Sequence, residues 1–244
     1  YQFIHTEQPS LLYVFMPVAL LVLFNNMFFG FGEIFHNNVW WSRAFAMRKD
    51  VSHRAFFLAG LLWLPIPVAA GFLGLASGAL HINIPDPDMT GPLVAGHVLG
   101  DVGAVLVFVV VFCSLASSID SLLAATSDLI TEDIYRKMIN PSADEGRVRK
   151  LGSRIILGLG VVTWLLCLPR LGDLIEVLFL SGPLVASTIW PVAAGIYWPH
   201  ANPRGAFLAM LAGSGVGLWA YFSWGWFTAS LISATVSALV VVVS

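Results

Sequence analysis

Six stretches of this chain are apolar for long enough to cross a bilayer, and a seventh begins near the last residues. No other feature restricts the fold as much. A helix needs about 20 apolar residues to span the hydrocarbon core. The runs lie near 11–35, 55–79, 100–126, 153–170, 173–198 and 205–224, with the incomplete one at 229–244. With their polar ends included, helices are expected near 11–46, 52–79, 100–138, 147–170, 173–199, 204–224 and 229–244. A composition of 58% hydrophobic and 11% charged residues, with a mean hydropathy of +0.83, excludes an ordinary soluble domain. In lipid every backbone polar group needs an internal partner. The expected fold is therefore an all-α polytopic membrane protein, with 1–244 as one transmembrane domain and the lipid bilayer as its first partner. A net charge of −2 points away from nucleic acid. The chain begins without Met and stops inside an apolar run, so it reads as a piece of a longer protein.

Basic residues give the orientation. Arg43, Arg48, Lys49 and Arg54 lie in the first loop, Arg136, Lys137, Arg147, Arg149, Lys150 and Arg154 in the third, and Arg204 in the fifth. Only Arg170 falls on the other side, which makes the basic face cytoplasmic. The opposite face carries the acidic, proline-broken loop 83–92. A bacterial inner membrane is the expected location. On the polar end of the third helix, Glu132/Arg136 and Asp133/Lys137 have the i,i+4 spacing of a solvated helix, which Asn140-Pro141-Ser142 ends. Gly74-xxx-Gly78 and the glycines of 213–217 are read as close helix contacts. Cys113 and Cys167 are read as small buried packers, with no metal spacing and no disulfide implied.

Three polar features interrupt the apolar runs. The first is "CSLASSIDSLLAATSDLITEDIY" (113–135). Ser114, Ser117, Ser118 and Ser121 share one helix face. They serve either as hydrogen-bonding glue between helices or as oxygen ligands for a hard monovalent cation. Asp120 lies beside that face, and an ionisable group inside a span marks function by default. The second is "NNMFFGFGEIFHNN" (25–38). Gly30 and Gly32 next to Glu33, His36, Asn37 and Asn38 read as a discontinuous helix with a buried Glu33, although a plain helix reaching the interface is the alternative. The third is the fifth span, interrupted by Ser181-Gly182-Pro183 and by Pro191, which free backbone carbonyls. No nucleophile elbow, zinc-protease motif or Ser–His pairing is present. Neither an enzyme nor a cofactor is expected.

Two motifs resemble the sodium:solute symporter family: "SSIDSLLAATSDLITEDIYRKM" (117–138), like its ninth helix, and "HNNVWWSRAFAMRKD" (36–50), like the end of its seventh. The resemblance covers essentially the whole chain, as helices seven to thirteen. It implies part of a LeuT-type inverted-repeat bundle whose first span here is a broken core helix. It also implies sodium as the coupling ion, held by the Ser114 carbonyl and the hydroxyls of Ser117 and Ser118. Asp120 and Ser121 match a second sodium position where relatives carry a hydroxyl, so Asp120 is open to sodium, a proton or an internal ion pair. The other half of the ion site is expected on N-terminal helices of the same protein that this chain lacks. The run 57–77 resembles the urea-transporting branch. Phe28, Phe29, Gly30, Glu33 and His36 are the expected lining for a small polar substrate such as urea or an amine. The implied function is sodium-coupled symport. The rival is a symporter-like sensor domain fused to a histidine kinase; a channel fits the hydroxyl stripe but not a broken helix with a buried Glu33.

Overall fold

The computed structural model describes residues 15–169 and 172–244. Arg170 and the first residues of the 11–35 run lie outside the described residues. In chain order the helices are α1 (Pro17–His36), α2 (Asn38–Ala46), α3 (Lys49–Trp63), α4 (Pro65–Ala79), α5 (Thr90–Leu99) and α6 (Asp101–Asp128), which runs on as a π-helix over Leu129–Ile139. There follow α7 (Glu145–Cys167), α8 (Leu174–Leu180), α9 (Gly182–Ala186), α10 (Ile189–Tyr197), α11 (Pro203–Trp224) and α12 (Trp226–Val243). No strand occurs among the described residues. Seven helical stretches there are long and apolar enough to cross a membrane, and each answers to one expected span.

The chain forms two compact units. One draws its described residues from Tyr1–Trp40 and Leu171–Ser244, the other from Trp41–Arg170. The first unit holds α1 and α8–α12. Its packing relies on small residues. Gly213 and Gly217 of α11 leave no room for a side chain: a Cβ on Gly217 would sit 2.6 Å from the Ser233 Cβ and 2.8 Å from the Pro183 Cβ. Gly225, at φ +102°, occupies a conformation that L side chains avoid, and it turns α11 back into α12. The second unit is held differently. Val94 and Ala95 of α5 are buried against α6, where a Cβ on Gly103 would meet the Ala95 carbonyl. Most apolar side chains of α3, α4, α6 and α7 face outward, which lipid tolerates as readily as another helix.

Local chemistry sets the boundaries. Asp144 caps α7 by accepting from the Gly146 amide at 3.0 Å, and Asn202 caps α11 by accepting from Gly205 at 2.7 Å. Pro65 has no amide to continue the ladder, so the second span divides at Leu64 into α3 and α4. The ion pairs Glu132–Arg136 (3.3 Å) and Asp133–Lys137 form as expected. Asn140 ends the π-helix with its amide donating to the Tyr135 carbonyl at 2.7 Å.

Several expectations need correction. α1 is unbroken through Gly30 and Gly32; the interruption falls at Asn37, whose side chain accepts from the Val39 amide at 3.0 Å and starts α2. Gly32 permits contact, not unwinding. A Cβ there would lie 2.6 Å from the Ala186 amide nitrogen. Glu33 is exposed on its unit instead of buried. Cys113 and Cys167 are free and exposed, because the faces that carry them have no helix against them within their unit. Among the described residues nothing lies within 4 Å of a Cβ placed on Gly74, so the close contact expected there is not made by them. Part of the loop 83–92 is ordered as a 3-10 turn, Pro87–Met89, leading into α5.

Glycine contact can be tested within one helix. Gly217→Ala should lower the thermal midpoint of the full-length protein in detergent, at a cost of about 1–3 kcal/mol. Gly215→Ala, where a Cβ meets nothing within 4 Å, should leave the midpoint unchanged or slightly raised.

Candidate functional site

The fifth span is the most irregular part of the first unit, and prolines are the reason. It is three pieces, α8, α9 and α10, parted at Ser181 and at Ser187–Thr188. Pro191 sits in the first turn of α10 and has no amide to give the carbonyl four residues earlier, that of Ser187. The Ser237 hydroxyl of α12 donates to that carbonyl instead, at 2.6 Å. One turn away, the Ser233 hydroxyl donates to the Pro183 carbonyl, also at 2.6 Å. The Ser187 hydroxyl lies 3.0 Å from that of Ser214 on α11. Ser230, Ser233 and Ser237 are each fully buried and line one face of α12 at i, i+3 and i+7. This ladder went unread at the sequence level; its spacing is the signal that could have shown it.

Asn25 of α1 completes the arrangement. It is also fully buried. Its amide nitrogen donates to the Trp226 carbonyl at 3.2 Å, and its amide oxygen accepts from Ser230 (2.9 Å) and Leu231 (3.1 Å). Trp226 and Ser230 are partners four apart in a regular helix, so Asn25 inserts into the first turns of α12. A helical serine commonly donates to the carbonyl four residues back, and Ser230 does not. Its hydroxyl is the buried side-chain atom left without a partner among the described residues. An aromatic row, Phe29–Phe179 at 5.0 Å and Phe179–Trp226 at 4.9 Å, closes one end.

This places the expected substrate residues. Phe28 packs against the buried cluster of Ala186, Ile189 and Ala234, and Phe29 belongs to the aromatic row. Both spend much of their surface holding α1 in its unit. Gly30 is half-buried, while Glu33 and His36 are exposed. Glu33 follows Gly30 and Asn26 around α1, on the face beside the packed one. Its carboxylate forms no ion pair among the described residues.

The expected ion residues lie on α6 in the second unit. The helix is regular there, so Ser114, Ser117, Ser118 and Ser121 do share a face. Their hydroxyls do not serve as glue to a neighbouring helix within the unit. Ser118 donates to its own helix at the Ser114 carbonyl, and Ser121 to the Ser117 carbonyl, both at 3.0 Å. Asp120 is exposed and forms no ion pair among the described residues. No cluster of His, Cys, Asp and Glu there could hold a metal ion.

Comparison with known proteins finds relatives named as transporters. A model of the sodium:solute symporter family matches residues 9–213. The chain is similar to a protein of Oryza sativa subsp. japonica named urea-proton symporter DUR3: 31% identical over 203 residues, covering 79% of this chain and 28% of the relative. It is similar to the urea active transporter of Saccharomyces cerevisiae, with 26% identity over 84% of this chain and 30% of the relative. A sodium/pantothenate symporter of Haemophilus influenzae is 26% identical over 67% of this chain and 34% of its own length. This chain thus spans about a third or less of those relatives. No solved structure gives a significant match.

The serine ladder makes an unequal prediction. The Pro183 carbonyl also accepts from the Ser187 amide at 3.3 Å, whereas Pro191 can give the Ser187 carbonyl nothing. Ser237→Ala should therefore destabilise the full-length protein by about 1–3 kcal/mol, and Ser233→Ala by nearer 1 kcal/mol. Thermal unfolding in detergent measures both. Equal losses would mean that the proline does not set the difference.

Proposed function

This chain belongs to the sodium:solute symporter family, and on that premise we propose that it is part of a cation-coupled symporter for urea or a similarly small amide. One observation carries the substrate: relatives named for urea transport match most of this chain. The chemistry of α1 agrees with it. Urea presents N–H donors and one carbonyl acceptor, with no charge. The Glu33 carboxylate accepts two such donors, and His36, one turn on, offers a ring nitrogen to the carbonyl. Phe28 and Phe29 then act by fixing α1 against its unit.

For the coupling cation we propose the serine face of α6. In the sodium reading, the Ser114 carbonyl and the hydroxyls of Ser117 and Ser118 coordinate the ion, with Asp120 and Ser121 one turn further. This asks Ser118 to turn away from the Ser114 carbonyl it now holds, a single χ1 rotation. The remaining ligands would come from helices outside this chain. A relative named as a proton symporter supports a second reading, in which Asp120 carries a proton and the serines stay bonded within their helix. In either reading, coupling is a difference in ligand affinity between two states of the transporter, and it acts reciprocally on ion and solute. Relatives named as transporters and symporters favour transport over kinase-linked sensing. The basic loops support a plasma-membrane or bacterial inner-membrane setting, with that face in the cytoplasm.

Uptake of labelled urea by the full-length protein in proteoliposomes tests this. An inward sodium gradient at fixed pH, and an inward proton gradient without sodium, are compared. If sodium drives uptake, Ser117→Ala/Ser118→Ala should raise the sodium needed for half-maximal uptake by roughly tenfold or more, the loss of about 1.4 kcal/mol of ion binding. If protons drive it, Asp120→Asn should abolish concentrative uptake while the double serine variant retains it. Urea uptake indifferent to both gradients would sink the coupled reading.

A further inference from the structure

A cleft lies between the polar end of the third span and the start of α7, inside the second unit. It has a volume of about 430 Å³ and is lined by residues of 127–136 and 145–156, a size suited to a small molecule or headgroup. Its charged lining is Asp128, Glu132, Arg136, Glu145 and Arg149. Arg136 is engaged by Glu132 at 3.3 Å. Among the described residues, Asp128, Glu145 and Arg149 make no ion pair. Glu145 and Arg149 are four apart on α7, where an internal pair would be easy, yet they do not form one.

The floor of the cleft is a built surface. Ser127 is 2% exposed and donates to the Gly152 carbonyl at 3.1 Å. Thr131 is 4% exposed and donates to the Ser127 carbonyl at 2.8 Å. A Cβ at Gly152 would press to 3.3 Å on the Ser127 hydroxyl, so glycine there brings the two helices together. The wall opposite is π-helical, a rare conformation that is enriched at functional sites.

Depth in the membrane gives the ligand class. The apolar run of the third span ends near 126, and that of the fourth begins near 153. The tie between Ser127 and Gly152 puts those two limits at one level. The cleft therefore opens just beyond the hydrocarbon, in the headgroup layer, on the face marked by basic loops. Ile156, an exposed apolar side chain that lines the cleft on its membrane side, offers a surface for an acyl chain.

We propose that this cleft binds the headgroup of a zwitterionic, primary-amine phospholipid of the phosphatidylethanolamine class. Along α7, Arg149 lies four residues deeper than Glu145, about 6 Å. A phosphate is the deeper group of such a lipid and the amine the outer one, so the polarity of the cleft matches that of the headgroup. Arg149 takes the phosphate. Glu145 takes the ammonium, whose three N–H donors suit carboxylate acceptors. A choline headgroup has no N–H to donate. An anionic headgroup without an amine leaves the carboxylates facing its negative charge.

Native mass spectrometry of the full-length protein tests this, after equilibration with equal amounts of phosphatidylethanolamine, phosphatidylcholine and phosphatidylglycerol. Phosphatidylethanolamine should be retained preferentially. Arg149→Gln and Glu145→Gln should each cut that preference by about tenfold, the order expected for one charge-assisted hydrogen bond. Lys137→Gln, outside the lining, should not change it, and thermal midpoints in phosphatidylcholine alone confirm that all three variants fold. Equal retention of the three lipids would overturn the proposal, as would a wild-type preference in both cleft variants. Soluble phosphoethanolamine provides the second arm. If it stabilises the protein as much as the lipid does, the ligand is a free solute and the lipid assignment fails. None of these outcomes depends on which solute or ion the protein transports.

Discussion

A carbonyl freed by proline inside a bilayer has no water to turn to. Much of the first unit depends on how that constraint is met. Pro191 leaves the Ser187 carbonyl without its helical donor, and Ser237 supplies one from α12 at 2.6 Å. The bond requires α12 to lie against the broken span at a fixed register. That register in turn brings Ser233 to the Pro183 carbonyl and requires Gly213 and Gly217 where α11 closes on both. Without apolar collapse to draw helices together in lipid, close contact and buried hydrogen bonds hold them. The irregular span is thus an organising element of the unit. Its breaks create the acceptors that the neighbouring helix is patterned to fill.

Asn25 extends the same logic to α1. It bonds both the carbonyl of Trp226 and the amides of Ser230 and Leu231, at the start of α12. The Ser230 hydroxyl beside it is buried without a partner among the described residues. Three hydrogen bonds from one buried side chain thus fix α1 against the start of α12.

Much of the architecture was legible because apolar run length and proline position act locally. The seven spans, the proline breaks of the fifth and the ion pairs at 132–137 follow from such local rules. The break in α1 was misplaced because glycine has two uses in a membrane helix, unwinding and close approach, and only the neighbour distinguishes them. Gly32 faces the Ala186 backbone, a residue more than 150 positions away. Phe28 and Phe29 were read by residue type as substrate lining, while their packing partners come from α8, α9, α10 and α12, equally remote in sequence. The cleft over Gly152 was invisible for the same reason, since the charges at 128–136 read as an ordinary solvated helix end. The serine ladder of α12 carried a visible period, yet its acceptors belong to another span, and hydroxyls alone do not reveal what they bind.

The α6 face poses the complementary problem. Ser118 and Ser121 are satisfied within their own helix, so hydrogen bonding asks nothing further of them. Asp120 is different. A carboxylate on a spanning helix, exposed on its unit and without an ion pair among the described residues, is costly against hydrocarbon. Structural glue would require a donor, and none pairs with it among the described residues. Three remedies remain: a cation beside the carboxylate, a proton on it, or a donor from helices outside this chain. The first two are the two forms of coupling that the relatives' names describe. The third would make Asp120 a fixed strut, insensitive to either gradient. Ion dependence therefore separates a working carboxylate from a structural one more directly than any contact within the unit.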